Sequence, residues 1–187
     1  YDSDEALAVV DMIYKTLKIK AYETSVVLAQ ERGAFPVFDW ETEQDNAYIA
    51  RLPKKLQEQI SKFGRRNISL LTNAPTGSVS ILSQTSSGLE PVFRNVYKRR
   101  RKLSHNEEGV KADFIDDLED RWLEYDVYHH NIKEWLKIHK KKEIPSFFVT
   151  SDQIDWPKRV QIQSIIQHHI DHAISSTINL PKDTPPS

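Results

Sequence analysis

From Asp2 to Arg32 apolar side chains recur at helical spacing, which predicts one helix of roughly eight turns. Ala6, Val9, Val10, Ile13, Leu17, Ala21 and Leu28 mark its expected buried face. Asp2 with Glu5 three positions on has the capping-box arrangement, and Ser3 is an equally good cap. Gly33 supplies the stop. A helix of this length with an apolar face must pack against something large, so the chain is expected to be globular. With 39% hydrophobic and 28% charged residues, it has the composition to do so.

The segment Ala34–Trp40 is short, aromatic and turn-like, and a second helix is expected from about Pro53 to Gly64. Ile68, Leu70 and Leu71 suit a buried strand that breaks at Pro75-Thr76-Gly77, with a short helix over Ser78–Ser83. Ser86-Ser87-Gly88 marks another turn, and Val92-Phe93 returns to strand-like composition. A strand, a glycine turn and a helix start in succession predict an α/β class. Between Lys98 and Lys142 the basic run Lys98–Lys102, the acidic stretch Asp113–Asp126 and a second basic run alternate, which predicts charged surface helices. Pro145–Thr150 reads as a buried strand and Pro157–Ser175 as a helix. The tail Lys182–Ser187 is polar and proline-rich, with little to hold it.

The 187 residues include no cysteine. Disulfides, thiolate metal sites and cysteine nucleophiles are therefore excluded within this chain. The formal charge of −1 argues against a dedicated nucleic-acid or membrane-surface protein. No apolar run approaches the roughly 20 residues of a membrane span, so a cytoplasmic setting is expected.

The leading candidate site is Asn73–Ser80. A tight turn that opens a helix presents free backbone N–H groups and the positive end of the helix dipole, and both favour a phosphate. Gly77 permits close backbone approach, while Thr76, Ser78 and Ser80 add hydroxyls. The pattern is neither a Walker loop nor a dinucleotide fingerprint, and an ordinary turn with a serine cap remains the other reading. His168 and His172 lie four apart on the expected helix, a spacing that suits a metal, but without a third ligand they read as packing or surface histidines, as do His129 and His130. The run Lys98–Lys102 reads as a solvated loop or strand edge rather than a nucleic-acid contact. Glu90, confined between Gly88-Leu89 and Pro91, is the carboxylate with the clearest structural or site role.

Arg66–Leu71, Ala74–Ser80 and Ser86–Phe93 together resemble blocks of the catalytic chain of adenosylcobalamin-dependent (class II) ribonucleotide reductases. Upstream, Tyr1-Asp2-Ser3, Leu28–Gly33 and Phe35-Pro36 resemble the same family, as do Val160–Gln163, Gln167 and Ile174–Pro181 downstream. Residues 98–145 are poorly matched and are expected to be a variable, charged helical insertion within a partial barrel spanning residues 1–181. The resemblance implies the later portion of a ten-stranded α/β barrel. It also implies that the turn holds the phosphates of a ribonucleotide through Thr76, Gly77, Ser78 and Val79, with Ala74, Pro75 and Ser80 shaping it.

In such a family a thiyl radical takes hydrogen from the ribose and a cysteine pair supplies reducing equivalents. Adenosylcobalamin starts the radical in the full enzyme and is not expected to be held by this chain alone. Without cysteine, the chain is expected to be inactive alone, as a truncated, split-gene or proteolytic piece. Its expected partners are the ribonucleotide, the remainder of the reductase or a complementary subunit, and a second copy in a homodimer. A class I large-subunit piece and a non-catalytic nucleotide-binding or assembly module are the alternatives.

Overall fold

In the computed structural model of the chain, which describes residues 1–107, 109–180 and 183, Ser3 is the residue that starts the first helix. Its hydroxyl accepts the Ala6 N–H at 3.2 Å. The helix, α1, runs from Asp4 to Arg32 and stops at Gly33, whose φ of 81° lies in the left-handed region. Its buried face is not the one expected. Leu7, Lys18, Tyr22, Ser25, Val26 and Ala29 are buried, whereas Val9, Ile13 and Leu17 are 49%, 52% and 46% exposed. The inward stripe contains Tyr, Lys and Ser, which a count of apolar residues passes over.

Two cores form along α1. Towards its C-terminal end, Tyr22 and Val26 pack with Ile49, Leu52, Leu56 and Ile60. Leu56 and Ile60 come from α3, Lys54–Phe63, which begins after Pro53 and ends at Gly64 as expected. The intervening segment includes α2, Trp40–Glu43, whose first turn is capped by the Asp39 carboxylate. Towards the N-terminal end, Leu7 packs with Leu89 and with Ile162 and Ile166 of α6, Trp156–His169. Each fully buried aliphatic side chain contributes about 1.5–3 kcal/mol.

The short helix α4, Gly77–Ser83, lies where it was expected. The strand expected at Ile68–Leu71 is instead irregular backbone outside any sheet, with a bend at Ile68. The backbone N–H groups of Leu70 and Leu71 donate to the Asp171 carboxylate at 2.9 and 2.8 Å, so they are satisfied without a neighbouring strand. A single parallel bridge, Asn73 to Ile174, follows. Val92-Phe93 is likewise not a strand; Val92 is tied by its carbonyl to the Ser151 N–H at 2.9 Å. Pro145–Thr150 forms turns, and Phe147 and Phe148 gather around Trp135 instead of pairing in a sheet.

The charged helices expected within 98–145 are corrected most fully. Three antiparallel strands, β1 Val96–Lys102, β2 Phe114–Ile115 and β3 Arg121–Tyr128, form a sheet in the order β1-β3-β2. One helix, α5 His130–Ile138, follows. The opposite charges face each other across strands. Arg100 is in register with Glu124 and bonds it at 2.8 Å, and Lys102 reaches Asp120. Phe114 stacks on Trp122 with centroids 6.2 Å apart. The basic run is thus a solvated edge strand, one of the two readings favoured for it. The expected tail lies outside the described residues except at Asp183.

Helix α6 ends at His169, not at Ser175. Ile170 is extended, and the chain turns so that Asp171 meets α1 and the 69–71 segment. His172 therefore lies beyond the helix and shares no helical face with His168.

Candidate functional site

The expected phosphate turn is reached through a series of fixed points. The Ser25 hydroxyl on α1 accepts the backbone N–H groups of Arg66 at 3.0 Å and Asn67 at 3.2 Å. Arg65, 3% exposed, pairs with Glu43 of α2 at 2.7 Å and donates to the Asn67 and Ile68 carbonyls. Asp171 then takes the Leu70 and Leu71 N–H groups and the Tyr22 phenol, the last at 2.6 Å. Burial and that carboxylate push the Tyr22 phenol well above its ordinary pKa. The Asn73–Ile174 bridge is the last fixed point before the turn.

Ala74, Pro75, Thr76, Gly77, Ser78 and Val79 are all exposed, and Ser80 is buried. Thr76 caps α4 in the left-handed region, with φ 50° and ψ 33°. For a β-branched residue this conformation costs about 1–3 kcal/mol and persists only where surroundings hold it. The holding contact is visible: the Thr76 hydroxyl accepts the Gly88 N–H at 3.1 Å. A side chain added at Gly77 would meet nothing within 4 Å. Neither packing nor backbone conformation therefore requires glycine there, and the space above it is open to a ligand.

The three hydroxyls expected to face a ligand are not equivalent. Ser80 donates to the Gly77 carbonyl at 2.7 Å and so turns back into its own helix. Thr76 still has its proton to donate, and Ser78 is exposed at the first turn. Ser80 N–H bonds to Thr76 carbonyl, which leaves the N–H groups of Gly77, Ser78 and Val79 as the first-turn donors directed outwards.

Beside the turn lies a cleft of about 310 Å³ whose lining includes Pro75, Ser80, Ser87, Phe93, His129 and Thr177. Among the described residues its lining has no lysine or arginine and includes the Glu90 carboxylate, so attraction for an anion rests on N–H groups and hydroxyls. Burial, with His130 adjacent, holds the His129 imidazolium below its usual pKa. His129, read from the sequence as a packing or surface residue, thus lines the candidate site.

Glu90 proves to be a structural junction. One carboxylate oxygen accepts from Arg159 at 3.0 Å and from the Thr177 N–H at 2.9 Å, and the other accepts the Leu89 N–H at 3.1 Å. Arg159 is 2% exposed and also donates to Gln163. The Tyr1 hydroxyl donates to the Leu89 carbonyl from the start of the chain. The 88–90 turn, which restrains Thr76, is therefore itself anchored to α6. Asp171 and Arg159 were not singled out from the sequence. Their partners lie roughly 70 to 150 positions away, so no local pattern marks them.

The family model described as "Ribonucleotide reductase, barrel domain" matches residues 1–187. The chain is similar to a vitamin B12-dependent ribonucleoside-diphosphate reductase of Mycobacterium tuberculosis (strain CDC 1551 / Oshkosh), 29% identical over 185 residues, which are 97% of this chain and 24% of that protein. A protein of the same description from Thermoplasma acidophilum is 27% identical over 193 residues, covering 98% of this chain and 22% of the relative. The ribonucleoside-diphosphate reductase subunit alpha of Treponema pallidum is 33% identical over 108 residues, 54% of this chain and 13% of the relative. The chain thus spans about a quarter of the length of the relatives that match nearly all of it. A family model matching every residue, over a mixed α/β fold in which the glycine turn opens α4, has one consequence: the chain belongs to the ribonucleotide reductase barrel-domain family.

Proposed function

We propose that this chain contributes the turn that holds the substrate's phosphates in an enzyme converting ribonucleotides to deoxyribonucleotides. The observation that carries this reading is the exposed turn itself. Thr76 is held in a strained left-handed conformation, open space lies above Gly77, and the N–H groups of Gly77, Ser78 and Val79 point outwards. Ala74 and Pro75 lead into the turn, and Ser80 closes it from within. The names of the relatives support a ribonucleoside diphosphate as the substrate.

The names of the M. tuberculosis and T. acidophilum relatives also support adenosylcobalamin as the cofactor of the full enzyme. That group, when bound, supplies a radical that is passed to a protein thiol. The donor set of this chain does not fit such a relay, because it contains no cysteine. No step through the cofactor falls to these residues, and the thiols that the reaction needs come from outside this chain. In this reading the chain binds and orients, and is inactive by itself.

Gly77→Val in the complete reductase tests the turn. The added side chain occupies the space through which a phosphate must approach the backbone, without clashing inside the fold. Calorimetry should show ribonucleoside diphosphate affinity reduced about tenfold or more, the loss of one or two good hydrogen bonds to a charged group, with the melting temperature little changed. Unchanged affinity would refute the role.

A further inference from the structure

A second cleft, of about 370 Å³, opens between α1, the 51–53 segment and the end of α6. None of its lining residues belongs to the phosphate turn or its cleft. Asp11, Lys15, Lys18, Arg51, His168 and His169 contribute to its walls. Asp11 is already engaged, bonding the buried His169 ring at 2.7 Å. That leaves an excess of cationic groups facing one another across a confined space.

Lys18 is the unusual member. It is 4% exposed, yet among the described residues no carboxylate pairs with its ammonium group. Its Nζ lies 4.2 Å from the centre of the Tyr48 ring. The Arg51 guanidinium approaches the same ring, at 5.5 Å. Two cations from separate elements are thus drawn to one aromatic ring, and the buried ammonium has Asp171 near it but no carboxylate in direct contact among the described residues. Burial and Arg51, opposed in part by the Asp171 carboxylate, lower the Lys18 ammonium to a pKa of about 8. The start of α3 borders the same cleft at Pro53, and no side chain caps that ten-residue helix. Its dipole adds positive potential in the same place.

We propose that this cleft is a binding site for a small phosphate-type oxyanion, with Lys18 and Arg51 as its principal ligands and Lys15, His168 and the α3 N-terminus supporting them. Such an ion supplies the missing counter-charge, and a volume of about 370 Å³ admits a diphosphate as readily as a single phosphate. The site is independent of the turn proposed to hold the substrate.

Pyrophosphate and inorganic phosphate titrated into the full chain, followed by calorimetry at constant ionic strength, test the assignment. Saturable one-to-one binding of pyrophosphate is expected in Gly77→Val, where the turn is blocked, and is weakened about tenfold or more when Lys18→Met or Arg51→Gln is added. Lys18→Met removes a buried ammonium, so the ligand-free variant should melt higher than the parent while binding worse. That combination separates a lost ligand from a damaged fold. Arg51 is exposed, and its replacement should leave the fold intact. Absence of saturable binding, affinity left unchanged by the Lys18 and Arg51 substitutions, or a lower melting temperature for Lys18→Met would each overturn the proposal. So would loss of pyrophosphate binding in Gly77→Val alone, which would place the ion at the turn.

Discussion

Asp171 receives the Tyr22 phenol and the backbone N–H groups of Leu70 and Leu71 with one carboxylate. It does for the 69–71 segment what a neighbouring strand would otherwise do, and joins that segment to α1 at the same point. Removing it leaves three donors short of acceptors in a half-buried place. Asp171→Ala should therefore lower stability by roughly 2–3 kcal/mol, the cost of unpaired buried polar groups, as read from urea denaturation. Asp171→Asn should recover only part of this, because its amide presents N–H groups where N–H groups already point. At this scale the glycine stop at Gly33 and the serine at position 3 were legible in the sequence, since each acts on residues within a turn of itself. Asp171 and Lys18 were not legible, because each is defined by what surrounds it in space.

The elements that carry the candidate site are coupled through one ion pair. Arg159 on α6 and Glu90 in the 88–90 turn are 3% and 16% exposed at their side chains and lie 3.0 Å apart. Removing one partner strands the other's charge in a largely buried place, so Arg159→Met should cost about 3–5 kcal/mol. The double variant Glu90→Gln with Arg159→Met should cost less than the two single changes added together. A double-mutant cycle by chemical denaturation measures the difference, and additivity would show that the pair does not couple the elements. The helices α1, α3 and α4 were readable because periodicity and terminal signals are local. The sheet was not, because the charge runs of β1 and β3 resemble helix surfaces until Arg100 is set opposite Glu124. The segments at Ile68–Leu71 and Pro145–Thr150 have strand composition without strand neighbours, and composition does not reveal a partner.

At the scale of the molecule, α1 acts as the shared wall of two cores, and the charges buried along it shape the response to pH. Lys18 titrates at about 8 in the folded chain against an ordinary value of 10.5. The groups around it are Asp11, Lys15 and Tyr22 on α1, Tyr48 and Arg51 beside α3, and His168, His169 and Asp171 at α6. Between those two values the unfolded chain holds a proton that the folded chain has released. Stability should therefore rise with pH from about 8 towards 10.5, its penalty being fully present below 8. Tyr22 and Tyr48, both held protonated by burial, oppose the trend above about pH 10. Denaturation midpoints across this range should show the rise in the parent and lose it in Lys18→Met.

Local sequence was enough for the extents of α1, α3 and α4, the glycine turn, the absence of thiol chemistry and the resemblance to ribonucleotide reductases. Each of these follows from neighbouring residues or from composition. Tertiary structure alone decided which face of α1 is buried, where α6 stops, that the central charged region is a sheet, and that Asp171 and Glu90 hold the turn in place. Those outcomes depend on hydrogen bonds and ion pairs between residues up to 158 positions apart. Such partners are chosen only when the chain brings them together.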